Sequence, residues 1–394
     1  MRLGPWGRRV ETDARATGGV LVSAPPPHTF VCEQCGAVLA FEPGAQELVC
    51  RYCGHANRPP EVAGAVVENR LDAVLARLAD EPPPAPIPRS CEQCGYAFTL
   101  PAGRHAGTCP SCGSPTVADP AAARAIAPDG ILPFVIAEPE GRRLVRDWLR
   151  ALWFAPSRLA EEARTGSRLE GLYVPHWTFD ARADSRYVGR RGDVYYETRI
   201  VERVVNGHRV RQAVQVPKIR WTPVEGRVTR SFDDLLVVAG AELPRHLVER
   251  LEPWDLQGLK AYAPHYLAGF AAELYTVPVR AAHEQAKAAI RAAVERDVRL
   301  DIGGDQQMID RLEIDLTEET YKLVLLPVWV ASFKFLGKDY RVLVNGRTGE
   351  VHGERPWSVW KILGALALVL FVLAGLVLLG QAGSGQFALT PPLR

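Results

Sequence analysis

Eight cysteines carry the plainest chemistry in this chain of 394 residues. They are Cys32, Cys35, Cys50, Cys53, Cys91, Cys94, Cys109 and Cys112, and they read C-x2-C-x14-C-x2-C twice, every member displaced by 59 residues. The flanks repeat too: Cys32-Glu33-Gln34-Cys35-Gly36 returns as Cys91-Glu92-Gln93-Cys94-Gly95, which marks an internal duplication. Two cysteines three apart on a tight turn place both sulfurs on one ion, and two such turns complete a tetrahedral S4 site. Glycine follows the second cysteine of every pair (Gly36, Gly54, Gly95, Gly113), where a φ-permissive residue lets backbone N–H groups approach the thiolates. The spacing therefore predicts two zinc ribbons holding two Zn2+. A rubredoxin-like iron site uses similar turns, so iron stays open beside zinc. A disulfide framework needs an oxidising compartment, and the topology below points to a reducing one. Each site already has four sulfurs, so His55 and His105 are expected on the surface. Ribbons this small bury too little apolar area to fold alone, so the metal must supply much of the folding energy.

The elements that hold these turns follow from composition shifts. The expected organisation is multidomain: a flexible arm over 1–28, ribbon 1 over 29–60, a helix and Pro-rich linker over 61–88, ribbon 2 over 89–119, an α+β domain with an antiparallel sheet over 130–356, a transmembrane helix over 361–380, and a short tail over 381–394. In the linker, Val67, Leu71, Val74, Leu75 and Leu78 form one helical stripe, expected to pack on a ribbon or the central domain. In the central domain, 142–154 and 280–298 read as helices. Leu172-Tyr173-Val174-Pro175-His176-Trp177 opens a strand run through 186–205, Asn206-Gly207 turns the chain, and 209–219 returns it as a hairpin. Further strands are expected at 321–335 and 340–344. Leu325-Leu326-Pro327-Val328-Trp329 resembles the 172–177 segment, hinting at a second duplication.

Residues 362–380 read ILGALALVLFVLAGLVLLG, uncharged and long enough to cross a hydrocarbon core of about 30 Å. Trp357 and Trp360 mark its start, with Lys361, Arg355, Arg347 and Arg341 on that side and only Arg394 beyond. The positive-inside rule then predicts a single-pass protein of the inner (cytoplasmic) membrane, its ribbons and α+β domain in the cytoplasm. The N-terminus has arginines but no apolar run behind them, so no secretory signal is read there.

Hydrophobic residues are 47% and charged residues 23% of the chain, which excludes wholesale disorder. Net charge is +2, with no global bias toward an acidic partner. Locally the balance differs. Residues 1–120 hold ten Arg, no Lys and twelve acids, whereas 182–230 hold twelve Lys plus Arg against five acids. Arg190, Arg191, Arg199, Arg203, Arg209, Arg211, Lys218 and Arg220, with Tyr195, Tyr196 and Trp221 nearby, form a candidate anion-binding surface for a phosphate backbone or anionic lipid.

Catalytic patterns are missing. No G-x-x-x-x-G-K-[ST] loop and no G-x-S-x-G elbow occurs. His283-Glu284-Gln285-Ala286-Lys287 begins like a zinc-protease helix, but Lys287 stands where a second histidine must be. Asp301-Ile302-Gly303-Gly304-Asp305 reads as a solvated turn rather than a cation loop, and His176 and His265 as packed polar residues.

The twin ribbons, VPHWTFDA (174–181), Pro253-Trp254-Asp255-Leu256, YLAGFAAELY (266–275), DIGGD (301–305), LLPVWVASF (325–333) and VNGRTGEVHGERP (344–356) resemble an uncharacterised bacterial family of zinc-ribbon membrane proteins, from about Thr29 to the end of the anchor. Such proteins are often labelled as similar to primosomal protein N′, the replication restart helicase, or to transcription-factor-type zinc ribbons. The resemblance implies fold and location, and no established activity; without motor motifs, helicase activity does not carry over. The resulting expectation is a non-catalytic protein-binding or scaffold module, in contact with membrane lipid through its C-terminal helix and with a protein partner. Nucleic-acid binding through 182–230 is the alternative. The acidic ribbons argue against it, since a nucleic-acid reader needs cations to neutralise phosphates.

Overall fold

The computed structural model describes residues 30–44, 46–58, 64–77, 87–101, 103–119, 126–153, 156, 168–205, 208–355 and 358–384. The expected arm (1–28), the Asn206-Gly207 turn and most of the tail lie outside the described residues. Strands are β1 (Ala40–Glu42), β2 (Glu47–Val49), β3 (Ala56–Asn57), β4 (Asn69–Arg70), β5 (Pro88–Ser90), β6 (Ala97–Thr99), β7 (Arg104–Thr108), β8 (Pro115–Val117), β9 (Gly130–Ile131), β10 (Arg168–Val205), β11 (His208–Val238), β12 (Lys260–Ala261), β13 (Ala271–Glu273), β14 (Gln306–Phe335), β15 (Lys338–Asn345) and β16 (Val351–Gly353). The principal helices are α1 (Leu71–Arg77), α2 (Glu138–Ala151), α3 (Val279–Ile302) and α4 (Val359–Ser384).

Three long strands, β10, β11 and β14, form the spine. β10 pairs antiparallel with β14 from Arg168↔Ser332 to Gly192↔Gln306, and with β11 from His176↔Val238 to Val205↔His208. Burial along β10 shows how one strand serves three environments. Residues 171–179 are all buried, because both sheet faces are covered there. From Ala181 burial alternates, the period of a strand with one wet face. From Asp193 outward the third strand has ended and most side chains are exposed.

The sheet is mixed, not wholly antiparallel as hairpin signals alone imply. β13 runs parallel to β10 (Leu172↔Ala271), and β9 runs parallel to β14 (Val324↔Gly130). Pro175 and Pro327 sit where each long strand changes neighbour on one edge, from β13 to β11 and from β9 to β15. There the missing N–H breaks no ladder. Two residues on, the buried Trp177 Nε1 donates to Val277 O (2.8 Å) and Trp329 Nε1 to Ile136 O (2.9 Å). The segments 172–177 and 325–329 therefore hold equivalent places and pair with each other, Val174 opposite Leu326.

One face of the centre packs Phe134 against Phe270 (4.5 Å), Trp329 (4.8 Å) and Tyr173 (5.1 Å), joined by Val145 and Leu149 of α2. A second cluster holds Leu172, Val174, Leu247, Leu251 and Leu326. α3 lies along the inner half of the β10–β11–β14 sheet through Ile290, Val294, Val298 and Ile302. α2 begins at Glu138 rather than 142, because Pro139 fits a first helical turn. In the linker stripe, Leu71 and Val74 bury against Trp177, Phe179 and Tyr321, while Val67 is exposed and Leu78 falls outside the described residues.

Both ribbons are docked. Phe41 N donates to Ala268 O (2.9 Å), and Leu39, Phe41 and Leu48 join the main core. β7 pairs with β13, so ribbon 2 extends the principal sheet. Beside that junction, Glu273 is buried and accepts the N–H groups of Ala241 and Glu242. Burial pushes its carboxyl up to about 6, against those bonds. A carboxyl whose folded pKa is raised stabilises fully below its unfolded value near 4.5 and loses that contribution as pH rises through 6. Glu273→Gln is therefore expected to raise stability by about 1–2 kcal/mol at neutral pH and by almost nothing at pH near 4.5. Urea unfolding of both proteins at the two pH values measures this.

Candidate metal centres and the basic hairpin

Each ribbon brings its four cysteines together as spaced in sequence. All four Sγ atoms of each set lie within 4.8 Å of one another. In ribbon 1, Cys32–Cys53 and Cys35–Cys50 are 3.6 and 3.5 Å apart; in ribbon 2, Cys91–Cys112 and Cys94–Cys109 are 3.6 and 3.8 Å apart. Sulfurs on a tetrahedral ion with bonds of about 2.3 Å stand about 3.8 Å apart, while a disulfide requires about 2.05 Å. The donor sets fit a metal ion in each ribbon.

The turns show why glycine follows each second cysteine. Gly36, Gly54, Gly95 and Gly113 have φ of 71°, 72°, 73° and 73°, and each N–H donates to the carbonyl of the first cysteine of its pair at 2.7–2.9 Å. The curl aims backbone N–H groups at sulfur. Burial opposes ionisation of Cys32, but the backbone N–H groups of Cys35 and Gln34 outweigh it and bring the thiol down to about 6. The Ser114 hydroxyl, 3.2 Å from Cys112 Sγ, and the Ser114 N–H bring Cys112 down to about 6. Buried Asn57 supports ribbon 1: its Nδ2 lies 3.9 Å from Cys32 Sγ and its Oδ1 accepts the Glu33 N–H. Sequence reading passed over Asn57 and Ser114. The 59-residue repeat pairs them with Thr116 and His55, so the duplication itself hides both.

In all four pairs the first cysteine is buried and the second exposed. With the metal in place, an alkylating agent is therefore expected to reach Cys35, Cys53, Cys94 and Cys112 several-fold faster than the other four, as timed mass spectrometry of peptides would record. His105 does not lie on the surface as expected. It is 1% exposed on β7, because the pairing of β7 with β13 encloses it. His55 is half-buried, and His176 and His265 are packed inside.

Asp180, Asp233 and Asp234 also converge. A cation is already there: buried Lys322 Nζ lies 2.8 Å from Asp234, 3.2 Å from Glu68 and 3.9 Å from Asp180. The DIGGD turn ends α3, with Gly303 at φ 65°. Its carboxylates accept protein donors, Tyr187 O–H on Asp301 (2.6 Å) and Val194 N–H on Asp305 (2.7 Å).

The basic hairpin is real as an element but divided as a surface. Residues opposite one another in register share a face. That places Arg191, Arg199, Arg203, Lys218 and Arg220 on one face and Arg190 and Arg211 on the other; the side chain of Arg209 is outside the described residues. Carboxylates answer most of these cations. Arg190 meets Asp310 through two bonds (2.8 and 3.0 Å), Arg191 meets Asp193 (3.0 Å), Arg211 meets Glu202 (3.0 Å), and Arg199 (3.4 Å) and Lys218 share Glu197. Arg220 lies over the Tyr195 ring at 5.2 Å.

At the other end of the chain, α4 is long and apolar enough to cross a membrane over Val359–Leu376, and none of that stretch is buried. No protein-family profile matches the chain, and no solved structure matches it. Among curated proteins it is similar to the uncharacterised protein YdjG of Bacillus subtilis, 26% identical over 242 residues, which cover 60% of this chain and 66% of that relative.

Proposed function

We propose that this chain is a zinc protein held in the inner membrane by α4, with its ribbons and sheet in the cytoplasm, and that it acts as a non-catalytic scaffold for a protein partner. The observation that carries the reading is the outer part of the β10–β11 hairpin. From Asp193 to Val205 it runs past the end of β14 as two strands alone, thirteen residues or about 43 Å at ~3.3 Å each. A two-stranded ribbon is marginal in water by itself, and this one exposes Tyr196, Ile200 and Val201. β14 adds 30 residues, about 100 Å of strand, between the base of this arm and the end of the sheet nearest α4. An arm that exposes apolar side chains, stands far from a bilayer and carries six cations against three carboxylates suits a protein surface with acidic groups of its own. The pairing of Arg199, Arg211 and Lys218 with Glu197 and Glu202, and the division of the cations between two faces, support a phosphate backbone less well.

A photo-crosslinker in place of Ile200, in the full chain in its native membrane, tests the reading. A discrete protein adduct, lost when Tyr196 is changed to Asp, is the expected result. Titration of the detergent-solubilised chain with labelled single- and double-stranded nucleic acid is expected to give no binding near physiological salt. Tight, salt-sensitive binding that disappears when Arg199, Arg203, Arg209 and Arg211 become Glu would replace the scaffold with a nucleic-acid reader. A reporter fused after Arg394 that reads as cytoplasmic would overturn the orientation.

A further inference from the structure

Three features converge at the end of the sheet opposite the arm. The first is the C-terminus of α2. This helix starts beside Gly346, where Ile136 N–H donates to Gly346 O (2.9 Å), and packs along β15 and β16. Its 14 residues span about 21 Å at ~1.5 Å each. That is close to the six strand residues, about 20 Å, separating Gly346 from Tyr340. Leu149 and Leu152 accordingly share a cluster with Phe335 and Tyr340. Just past the helix, Trp153 is 82% exposed.

The second feature is the β14–β15 turn. Phe335 pairs with Lys338, leaving Leu336-Gly337 as a two-residue loop with φ of 50° and 76°. Such type I′ loops favour Asn-Gly, because both central residues are left-handed. Leucine there is sterically disfavoured, and its side chain is 84% exposed. In water this residue would be wrong twice over, by conformation and by exposure. Lys334 and Lys338 flank it, with the Asp339 carboxylate 3.9 Å from Lys334.

The third is the start of α4. After β16 the chain stays beside β15, Glu354 N–H donating to Arg341 O (2.9 Å), which heads it toward the same turn. Lys361 Nζ then donates to Trp153 O (3.3 Å), so the first turn of α4 touches the end of α2. Trp360 is 84% exposed.

We propose that this end of the domain is a second membrane contact: Trp153 and Leu336 enter the headgroup layer of the bilayer that α4 crosses, and Lys334 and Lys338 meet its anionic lipid phosphates. The inference rests on the reading of α4 as a membrane span. Tryptophan favours the interfacial zone, and lysine beside it adds attraction to anionic lipid. Two contacts beside the span fix the tilt of the sheet, where a single helix would leave the domain free to swivel.

The test uses the full, metal-loaded chain in phosphatidylcholine–phosphatidylglycerol vesicles whose acyl chains are brominated near the headgroup end, with tryptophan emission as readout. Trp153→Phe is expected to lower the quenched emission clearly, as Trp360→Phe should. Leu336→Trp is expected to add a quenched component. Both sites are solvent-facing, and retention of two metal ions per chain checks the fold. If Trp360→Phe lowers the quenching while Trp153→Phe and Leu336→Trp leave it unchanged, the second contact is overturned and the anchor stands. If no tryptophan is quenched, the anchor itself fails, and this inference with it.

Discussion

Cys50→Ser is expected to cut the bound metal from two ions per chain to one and to unfold ribbon 1. Cys50 is 1% exposed and supplies one corner of an S4 set whose sulfurs are already at tetrahedral spacing. Structural zinc contributes about 10–16 kcal/mol in comparable small modules near neutral pH, far more than three short strands, β1 to β3, recover by pairing. The damage should also spread. Leu39, Phe41 and Leu48 belong to the same core as Phe134 and Phe270, and Phe41 meets Tyr266 edge-on at 5.3 Å. Hydrogen exchange should therefore quicken over 31–57 and also near Leu267 and Ala268. Cys109→Ser should likewise release one ion, yet leave β7 partly protected through its pairing with β13. A Cys50→Ser protein that keeps two ions and its exchange pattern would overturn the ribbon reading.

Acid should weaken the fold through His105 and His176, by about 4 kcal/mol between pH 7 and pH 5. His105 and His176 are both nearly inaccessible, and burial pushes each down from an ordinary 6.5 to about 4. For His176, which lies 3.0 Å from Val174 O through Nδ1, that contact pulls weakly the other way. A histidine with a depressed folded pKa costs nothing above 6.5, where both states are neutral. Between 6.5 and 4 only the unfolded chain takes the proton, so stability falls as pH falls, about 2 kcal/mol per residue by pH 5. Glu273 acts in the opposite direction over its own window, which makes variants necessary. His176→Phe, remote from both ribbons, should remove about 2 kcal/mol of the loss. NMR titration should show three imidazoles still neutral at pH 5, those of His105, His176 and the likewise buried His265, which burial also pushes down to about 4. His105 and His176 titrating near 6.5 would place these side chains in water and reject the packing.

The ligand sets of both metal centres were legible because they are local. C-x2-C followed by glycine specifies a turn through the conformation of a few residues, and the observed φ values near 72° at all four glycines are that specification realised. Asn57 and Ser114 were not legible. They reach sulfur through ribbon geometry, and they fall at positions where the two repeats differ. The extent of β14 was half legible. Residues 321–329 are buried on both faces and read as a continuous apolar strand, whereas the strand signal in 306–320 is the short alternation Leu312, Ile314, Leu316 with Glu313 and Asp315, which the expectation of a strand at 321–335 did not include.

By itself the sequence determined two S4 clusters, an apolar helix at the C-terminal end, and a long hairpin within 182–230, all patterns of spacing and composition that hold whatever surrounds them. The tertiary structure alone decided the rest. Register within the β10–β11 hairpin put its cations on two faces, pairing with β14 set Arg190 against Asp310, and the neighbouring strands set Pro175 and Pro327 where each strand changes partner. Docking of β7 on β13 buried His105, which a ribbon in isolation would expose. Packing of α2 along β15 and β16 brought Trp153 to the first turn of α4, where its carbonyl accepts from Lys361. Such juxtapositions depend on which edges pair and how far each element reaches, and neither quantity is encoded in neighbouring residues.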